Sequence, residues 1–506
     1  MSELFPGLPA PPPPPEPAGA AAVILWREGP SGREVYWVRR GALRFAGGFH
    51  AFPGGRLDPE DSRVPVRGLE GEAAALVACA VREVFEETGV LLAAGPRPGA
   101  EVRAAARRAL LDGGIAFRDF LARHGLSLDG ERLQPAGRWI APPWIPTRFD
   151  ARFFLAHVPG TEEAEVWHGE LTHGEWVVAA DAVARWSRGE VLLHPPTLWG
   201  LQSLARAAPP RCLDLLRNPP CTDAFISRRI EFQRGIFLAA LRTPTLPPAT
   251  HTSCWLVELE GGALAVVDPG SPWPEEQARL EQVLSDLSAD GLTPREIWLT
   301  HAHGDHSGGV VALAGRPGLV LRAHPDALAR VGSGIREAVA RGALAYEPLS
   351  DGLLLHGRHR ALHTPGHARG HVAFLDERTG ALLAGDMVST LSTIVIDPPD
   401  GDMREYLRSL ERLRDLAPRT LFPAHGSPTQ GAVEKLDEYL AHRRQREQLV
   451  LGALASPGTL EEVTARSYQD VPAFMLPVAA RSCLASLQKL LRDDEATFDG
   501  TRWHRA

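Results

Sequence analysis

His301-Ala302-His303-Gly304-Asp305-His306 directly follows the apolar run Ile297-Trp298-Leu299-Thr300. The run reads as a buried strand, so four candidate ligands crowd into six residues at a strand's C-terminal end. Open α/β sheets place their sites there. His301 and His303 alternate past one small residue and can face one ion, while Asp305 and His306 turn toward a second position. Imidazoles with one carboxylate suit Zn²⁺, and a zinc site with an open position lowers the pKa of its water toward neutrality. Burying so many polar rings without a cation would be costly.

Outward from this stretch the pattern is α/β. Leu264 to Asp268 reads as a strand ending in Asp-Pro-Gly, and Glu275 to Ala289 as a helix before the strand at Ile297. Downstream lie His363-Thr364-Pro365-Gly366-His367, Ala384-Gly385-Asp386 and Phe422-Pro423-Ala424-His425-Gly426. Together these segments resemble the metallo-β-lactamase superfamily motif series. The resemblance implies an αβ/βα four-layer sandwich holding two Zn²⁺ ions. It implies one ion on His301, His303 and His367, another on Asp305, His306 and His425, and Asp386 as the bridge. Asp305 is then a catalytic candidate, and Asp268 a support behind the ligands. His371 is read as structural, with proton transfer as the alternative, and His363 as structural. Arg369, in the same loop, is a candidate for meeting an anionic substrate. No cysteine or lysine stands at a ligand or oxyanion position in these motifs, which argues against a β-lactamase.

The C-terminal stretch narrows the resemblance. Tyr439 to Glu447, Thr459-Leu460, Val471-Pro472, Leu484 to Leu491 and Asp499-Gly500 before Trp503 look like the helix and small winged-helix domain of the β-lactamase-like protein 2 family. That resemblance implies endoribonuclease action on single-stranded RNA. Arg443, Arg444 and Arg446 are candidates for phosphate contacts. The module is nearly neutral and lacks an aromatic-interleaved basic stripe, so dimerisation or a lid is an equal expectation.

A second constellation lies upstream. In Arg82-Glu83-Val84-Phe85-Glu86-Glu87-Thr88-Gly89-Val90, the three glutamates stand at i, i+3 and i+4 of a helix read from Glu72 to Thr88. Three carboxylates on one face need a counterion, and hard oxygen ligands suit Mg²⁺ or Mn²⁺. The string resembles the second half of the Nudix box, and Phe52-Pro53-Gly54-Gly55 is similar to the loop that opens it in coenzyme A diphosphatase-like Nudix enzymes. The resemblance spans about 19–205 and implies an α/β/α sandwich with Glu83, Glu86 and Glu87 as metal ligands, Glu83 being the catalytic candidate. Two departures stand out. The loop after Gly55 is long, and Ala74 occupies a position the family fills with a supporting acid, which implies weakened activity. Glu170 and Glu175 are candidates for a distal base.

Composition frames these readings. The chain has 506 residues, a net charge of −8, 19 histidines and 5 scattered cysteines. The charge excludes a wholly basic nucleic-acid coat but leaves a local basic groove open. The cysteines form neither a disulfide framework nor a zinc knuckle, which favours a reducing compartment. With no signal peptide and no apolar run long enough for a span, the expectation is a cytoplasmic protein. Only Lys435 and Lys489 are lysines among the 54 basic residues, a compositional skew that weakens propensity arguments.

The expected architecture is α/β multidomain: a Pro-rich leader at 1–18, a Nudix domain with a helical insertion (Glu101 to Leu126) at 19–206, a linker at 207–234, a metallo-β-lactamase domain at 235–440, and a helix plus winged helix at 441–506. Three functions remain open. The chain is a bifunctional hydrolase of a nucleoside-diphosphate-type linkage and of RNA, an acyl-CoA processing enzyme with a zinc thioesterase half, or a zinc hydrolase with a nucleotide-sensing Nudix half. The partners implied are a small diphosphate or coenzyme A derivative and single-stranded RNA, with no membrane; an oligomer is compatible with all three.

Overall fold

The computed structural model describes residues 13–41, 47–160, 162–167 and 171–506. They divide into two compact units, 13–234 and 235–506. Most of the leader, 1–12, and Glu170 lie outside the described residues.

In the first unit, strand Ala18–Gly29 is central. It pairs in parallel with Phe149–His157 and antiparallel with Gly32–Arg40. Side chains alternate across a strand. Ala21, Val23, Leu25, Tyr36 and Val38 therefore face helix Gly71–Thr88, where Leu76, Ala80 and Val84 recur at one-turn spacing. Ile24, Val35 and Trp37 face the other way, onto Trp186, Leu201 and Leu204 of helices Ala179–Ser187 and Pro195–Arg206. The result is a sheet between two helical layers. Helix Gly71–Thr88 stops because Gly89 takes a left-handed φ of 72° and turns its amide back to the Phe85 carbonyl.

Two expectations change here. The stretch read as one helix from Glu101 is two, Ala100–Leu111 and Phe117–Arg123, separated at Gly113, whose φ is 69°. The segment 207–234 is not a free linker. Its helix Arg211–Arg217 buries Cys212, Leu213 and Leu216 in the first unit's core, a spacing of apolar residues masked by the flanking Pro-Pro pairs.

In the second unit, strands Ile236–Arg242, His251–Glu258, Ala263–Val267, Thr293–Trp298, Val320–Ala323 and Ala345–Pro348 lie side by side in that order. A second sheet runs Leu354–Leu355, His359–His363, Val372–Asp376, Ala381–Gly385 and Thr420–Pro423. Alternation again sorts the layers. Leu256, Leu264 and Val266 meet Leu280, Leu284 and Leu287 of helix Pro274–Ala289. Trp298 instead stacks on Phe374 of the other sheet at 4.9 Å between centroids, and Trp255 meets Phe422 edge-on at 5.1 Å. Helices Met403–Asp415 and Ala432–Ala453 cover the outer face of the second sheet. Helix, sheet, sheet and helix thus form four layers.

Helices Leu460–Ser467 and Leu476–Arg492 and the hairpin Ala496–Phe498/Trp503–Arg505 complete the unit. Thr459 and Glu462 close a reciprocal capping box at the first of these helices. Val463, Cys483, Leu487, Leu490 and Trp503 pack on Val450, Leu451 and Leu454. The expected division at 440/441 falls inside helix Ala432–Ala453. Its Leu436, Tyr439 and Leu440 belong to the four-layer core and its Val450 and Leu451 to the C-terminal core.

Candidate metal centre

Beyond strand Thr293–Trp298 the chain passes Leu299 and Thr300 and turns into the one-turn helix Gly304–Ser307. That turn brings His301, His303, Asp305 and His306 to one edge of the sandwich. The loops after strands His359–His363, Ala381–Gly385 and Thr420–Pro423 add His367, Asp386 and His425. Three groups converge, with ligand atoms within 4.8 Å of one another: His301/His303/His367, His301/His306/Asp386 and Asp305/His306/His425.

Asp386 joins the two halves. Its Oδ2 lies 3.5 Å from His367 Nε2, whereas its Oδ1 lies 3.6 Å from His306 Nε2 and 3.4 Å from His425 Nε2. Asp305 Oδ2 lies 3.6 Å from His425 Nε2 and 3.9 Å from His306 Nε2.

The outer hydrogen bonds fix each ring's tautomer. Asp268 accepts from the Thr300 amide at 2.8 Å, from the Thr300 hydroxyl at 2.7 Å and from His306 Nδ1–H at 2.9 Å. The Thr300 hydroxyl, its proton committed to Asp268, accepts from His301 Nδ1–H at 2.9 Å. His367 Nδ1–H donates to the Val395 carbonyl at 2.9 Å, and His425 Nδ1–H to the His251 carbonyl at 3.0 Å. The Nε2 atoms of His301 and His367 therefore carry lone pairs that point inward. They face each other at 3.3 Å, and each lies 2.9–3.0 Å from His303 Nδ1. Nitrogens 2.0–2.1 Å from one tetrahedral ion would stand roughly 3.3 Å apart. His306 Nε2 and Asp386 Oδ1 are buried without a hydrogen-bond partner. Facing lone pairs and orphaned buried atoms fit divalent cations, and the nitrogen-rich donor set fits zinc.

Electrostatics agree. Burial, then the neighbouring His306 and His303, push His301 well below the usual imidazole range. Burial followed by His303 brings His367 down to about 4. Both rings are neutral, the form a metal requires. Burial works to lower His306 as well, but Asp386, Asp305 and Asp268 outweigh it and hold it well above its usual value. Burial would raise Asp386; His425 and His306 prevail and keep it ionised. This half of the site is built to hold positive charge.

The glutamates of the first unit are arranged differently. Arg82 donates to Glu83 at 2.8 Å, to Glu86 at 3.1 Å and, through two nitrogens, to Asp61 at 2.8 and 2.9 Å. Glu87 accepts from the Gly54 amide at 2.9 Å. Gly55 leaves room for the Glu83 carboxylate, which a Cβ there would displace. Burial, opposed by Arg82 and aided by Glu83, raises Glu86 to about 7. Asp61 was not singled out from the sequence. It sits in the long loop, 1% exposed, and closes a capping box with Asp58. The loop thus supplies an acid beside the glutamates although Ala74 does not. Among the described residues the convergent ligand groups all lie in the second unit.

The family model described as the metallo-beta-lactamase superfamily matches residues 247–425, and that of the beta-lactamase associated winged helix domain matches 459–503. The chain is 33% identical over 273 residues to lactamase-like protein vrtG of Penicillium aethiopicum, covering 51% of this chain and 81% of that one. The chain belongs to the metallo-β-lactamase superfamily. The beta-lactamase-like protein 2 homolog of Drosophila melanogaster is 30% identical over 245 residues, 46% of this metallo-β-lactamase-type chain and 80% of its own. Among solved structures, a metallo-beta-lactamase family protein from Thermus thermophilus is 26% identical with a TM-score of 0.46, covering 55% of this chain and 100% of that one. A NUDIX hydrolase from Alicyclobacillus acidocaldarius is 32% identical with a TM-score of 0.36, covering 40% and 97%.

The remaining predicted residues of this metallo-β-lactamase superfamily member have clear places. His371 is fully buried. Its Nδ1 shares a 2.8 Å hydrogen bond with the Thr364 hydroxyl, and its Nε2 accepts from the Asp386 amide at 3.1 Å. Its two nitrogens thus tie Thr364, in the loop that carries His367, to the loop that carries Asp386. His363 stacks on His324 and bonds the Arg369 carbonyl. Arg369 donates to the Pro399 carbonyl and lines a cleft of about 330 Å³ with Asp400, Gln488 and Arg492. The phosphate-binding reading of Arg443 and Arg446 is corrected. Arg443 is buried and donates to the Ile394 carbonyl, while Arg446 is spent on Asp470 and the Ser467 carbonyl. Arg444 pairs with Glu411. Glu175 is held by Arg185 and Trp37. No helix among the described residues is long and apolar enough to cross a membrane.

Proposed function

We propose that the second unit is a two-zinc phosphodiesterase that cuts single-stranded RNA. The observation that carries the two-metal part is Asp386, whose two oxygens face two separate ligand groups. When bound, a pair of divalent ions supplies Lewis acidity and a water of lowered pKa. The chain's own residues keep the imidazole lone pairs turned inward and hold Asp386 ionised. The cleft beside Arg369 sets the guanidinia of Arg369 and Arg492 and the Gln488 amide among Asp400, Asp402 and Glu405, a polar lining of mixed charge. It adjoins the centre, since Asp400 in its wall lies 3.8 Å from His303 Nε2. RNA as the substrate is what the motif resemblance to the β-lactamase-like protein 2 family implies, and the chain matches a homologue of that protein over 80% of the homologue's length. The test is a panel of end-labelled single-stranded RNA, acyl-CoA and nucleoside diphosphate derivatives, with zinc supplied. We expect internal cleavage of RNA that falls on the order of 10²–10³-fold in Asp305→Ala, as for loss of a main electrostatic group. Intact RNA, with thiol released from acyl-CoA in wild type and Glu87→Ala but not in His301→Ala, would replace this reading by the thioesterase one.

For the first unit we propose a Nudix-type diphosphate hydrolase using Mg²⁺ or Mn²⁺ at Glu83, Glu86 and Glu87. The support is the glutamate triad on one helix face against the Gly54-Gly55 loop, with Asp61 close by. Glu86 gives a pH signature. Its folded value, about 7, exceeds the ordinary 4.5. The stability it contributes is therefore present below pH 4.5 and lost as pH rises through 7. A divalent cation relieves this loss only where Glu86 is ionised. Mg²⁺ at about 100 times its Kd should stabilise by about 2.7 kcal/mol. For a unit of this size that is a rise of about 5–11 °C in Tm at about pH 8, shrinking at about pH 5.5. Scanning calorimetry should show the rise in wild type and lose it in Glu86→Gln. An equal shift in both proteins would count against the site.

A further inference from the structure

The strap between strand Ala381–Gly385 and helix Met403–Asp415 has no regular structure from Thr393 to Asp397, yet Ile394 and Ile396 are almost wholly buried. Its inner side serves the metal centre, where the Val395 carbonyl accepts from His367 Nδ1–H at 2.9 Å. Further along, Asp400 lies 3.8 Å from His303 Nε2. Its outer side is held by the helices that carry the C-terminal module. The Ile394 carbonyl accepts from Arg443, and the Ile396 amide donates to the Ser482 hydroxyl at 3.1 Å. Arg481 pairs with Asp397 at 2.6 Å, and Arg492 with Asp402. Successive residues 394, 395 and 396 thus bond alternately to the module, to His367 and to the module again.

This alternation has a mechanical meaning. The residues flanking Val395 are each pinned from the C-terminal side, which fixes the peptide plane of the carbonyl between them. That carbonyl sets the tautomer and the direction of His367, and groups that orient a ligating histidine typically tune metal affinity about 10–100-fold.

We propose that Ser482, with Arg443, is a positioning residue of the metal centre: the winged-helix module aims His367 through the Val395 carbonyl. The module is then a working part of the site rather than an appended nucleic-acid domain. The proposal rests on the metal reading of the histidine cluster.

The test uses the full chain loaded with Co²⁺, whose visible spectrum reports the ligand field. Ser482→Ala should shift the Co²⁺ bands and weaken Co²⁺ binding at the His301/His303/His367 position by roughly 3–10-fold, less than direct loss of an orienting partner. Ser482→Thr, which keeps the hydroxyl, should restore both. Lys489→Ala is the control. It breaks the pairing with Glu447 and Asp493 without touching the strap, and its spectrum should match wild type. Arg481→Ala is the second strap variant, at an exposed pair, and should shift the bands in the same direction if Ser482→Ala fails to fold. Unchanged spectra and affinities in the strap variants, or an equal shift in Lys489→Ala, would overturn the proposal alone. A wild-type protein that takes up no Co²⁺ would overturn the metal reading, and the proposal with it.

Discussion

Asp386→Asn is expected to leave the chain folded and to collapse metal binding at both positions together. The carboxylate turns Oδ2 toward His367 and Oδ1 toward His306 and His425. An amide offers one oxygen and no charge, so whichever way it sits, one half receives an N–H group. Removing an outer hydrogen-bond partner typically costs about 10–100-fold in affinity. Removing a shared charged ligand should exceed that, on the order of 10³-fold in hydrolysis of an activated phosphodiester such as bis(4-nitrophenyl) phosphate, a loss of about 4 kcal/mol of barrier lowering. Metal analysis after dialysis should fall from two ions to fewer than one per chain. Retention of one tightly held ion would show that the halves are independent and that Asp386 does not link them.

Asp268→Ala should be the most destabilising single change near the site. Asp268 is 2% exposed and accepts three hydrogen bonds, two from Thr300 and one from His306. Its φ of 53° places it in the left-handed region, which Asp tolerates better than most residues and which alanine would occupy under strain. In the metal-free protein His306 keeps a raised pKa partly through this carboxylate. Truncation strands a buried imidazolium and an amide. Breaking a buried pair from one side costs about 3–5 kcal/mol. Urea unfolding of metal-free protein should move to a correspondingly lower midpoint, and zinc affinity, read by competition with a chelating dye, should fall about 10–100-fold. An unchanged midpoint would show that Thr300 and His306 find other partners.

The candidate ligand residues are legible in the sequence because metal chemistry restricts such positions to a few side chains at fixed spacings after apolar strands. His301, His303, Asp305 and His306 announce themselves, and the fold brings His367, Asp386 and His425 to them. The orienting groups leave no such trace. The carbonyls of Val395 and His251 are backbone atoms that any residue supplies, and the Thr300 hydroxyl looks like a strand end. Arg443 and Arg446 mislead for a related reason. An arginine run reads as a phosphate grip until burial shows that the guanidinia are consumed by Ile394, Ser467 and Asp470. Asp61 hides in a long polar loop, where one acid looks like another. The helix Arg211–Arg217 hides between proline pairs that mimic a linker.

Helix Ala432–Ala453 carries a consequence for how substrate enters. It is unbroken over 22 residues and contains no proline. A sharp bend would need a proline, a π-bulge or a disrupted hydrogen-bond ladder. Its two ends are rooted in different cores, so the C-terminal module cannot swing away without tearing one of them open. If the substrate is the RNA proposed above, the polymer would have to thread into the site laterally, past this fixed module. Turnover would be gated by the substrate's own flexibility, which favours unstructured chains over stiff duplexes.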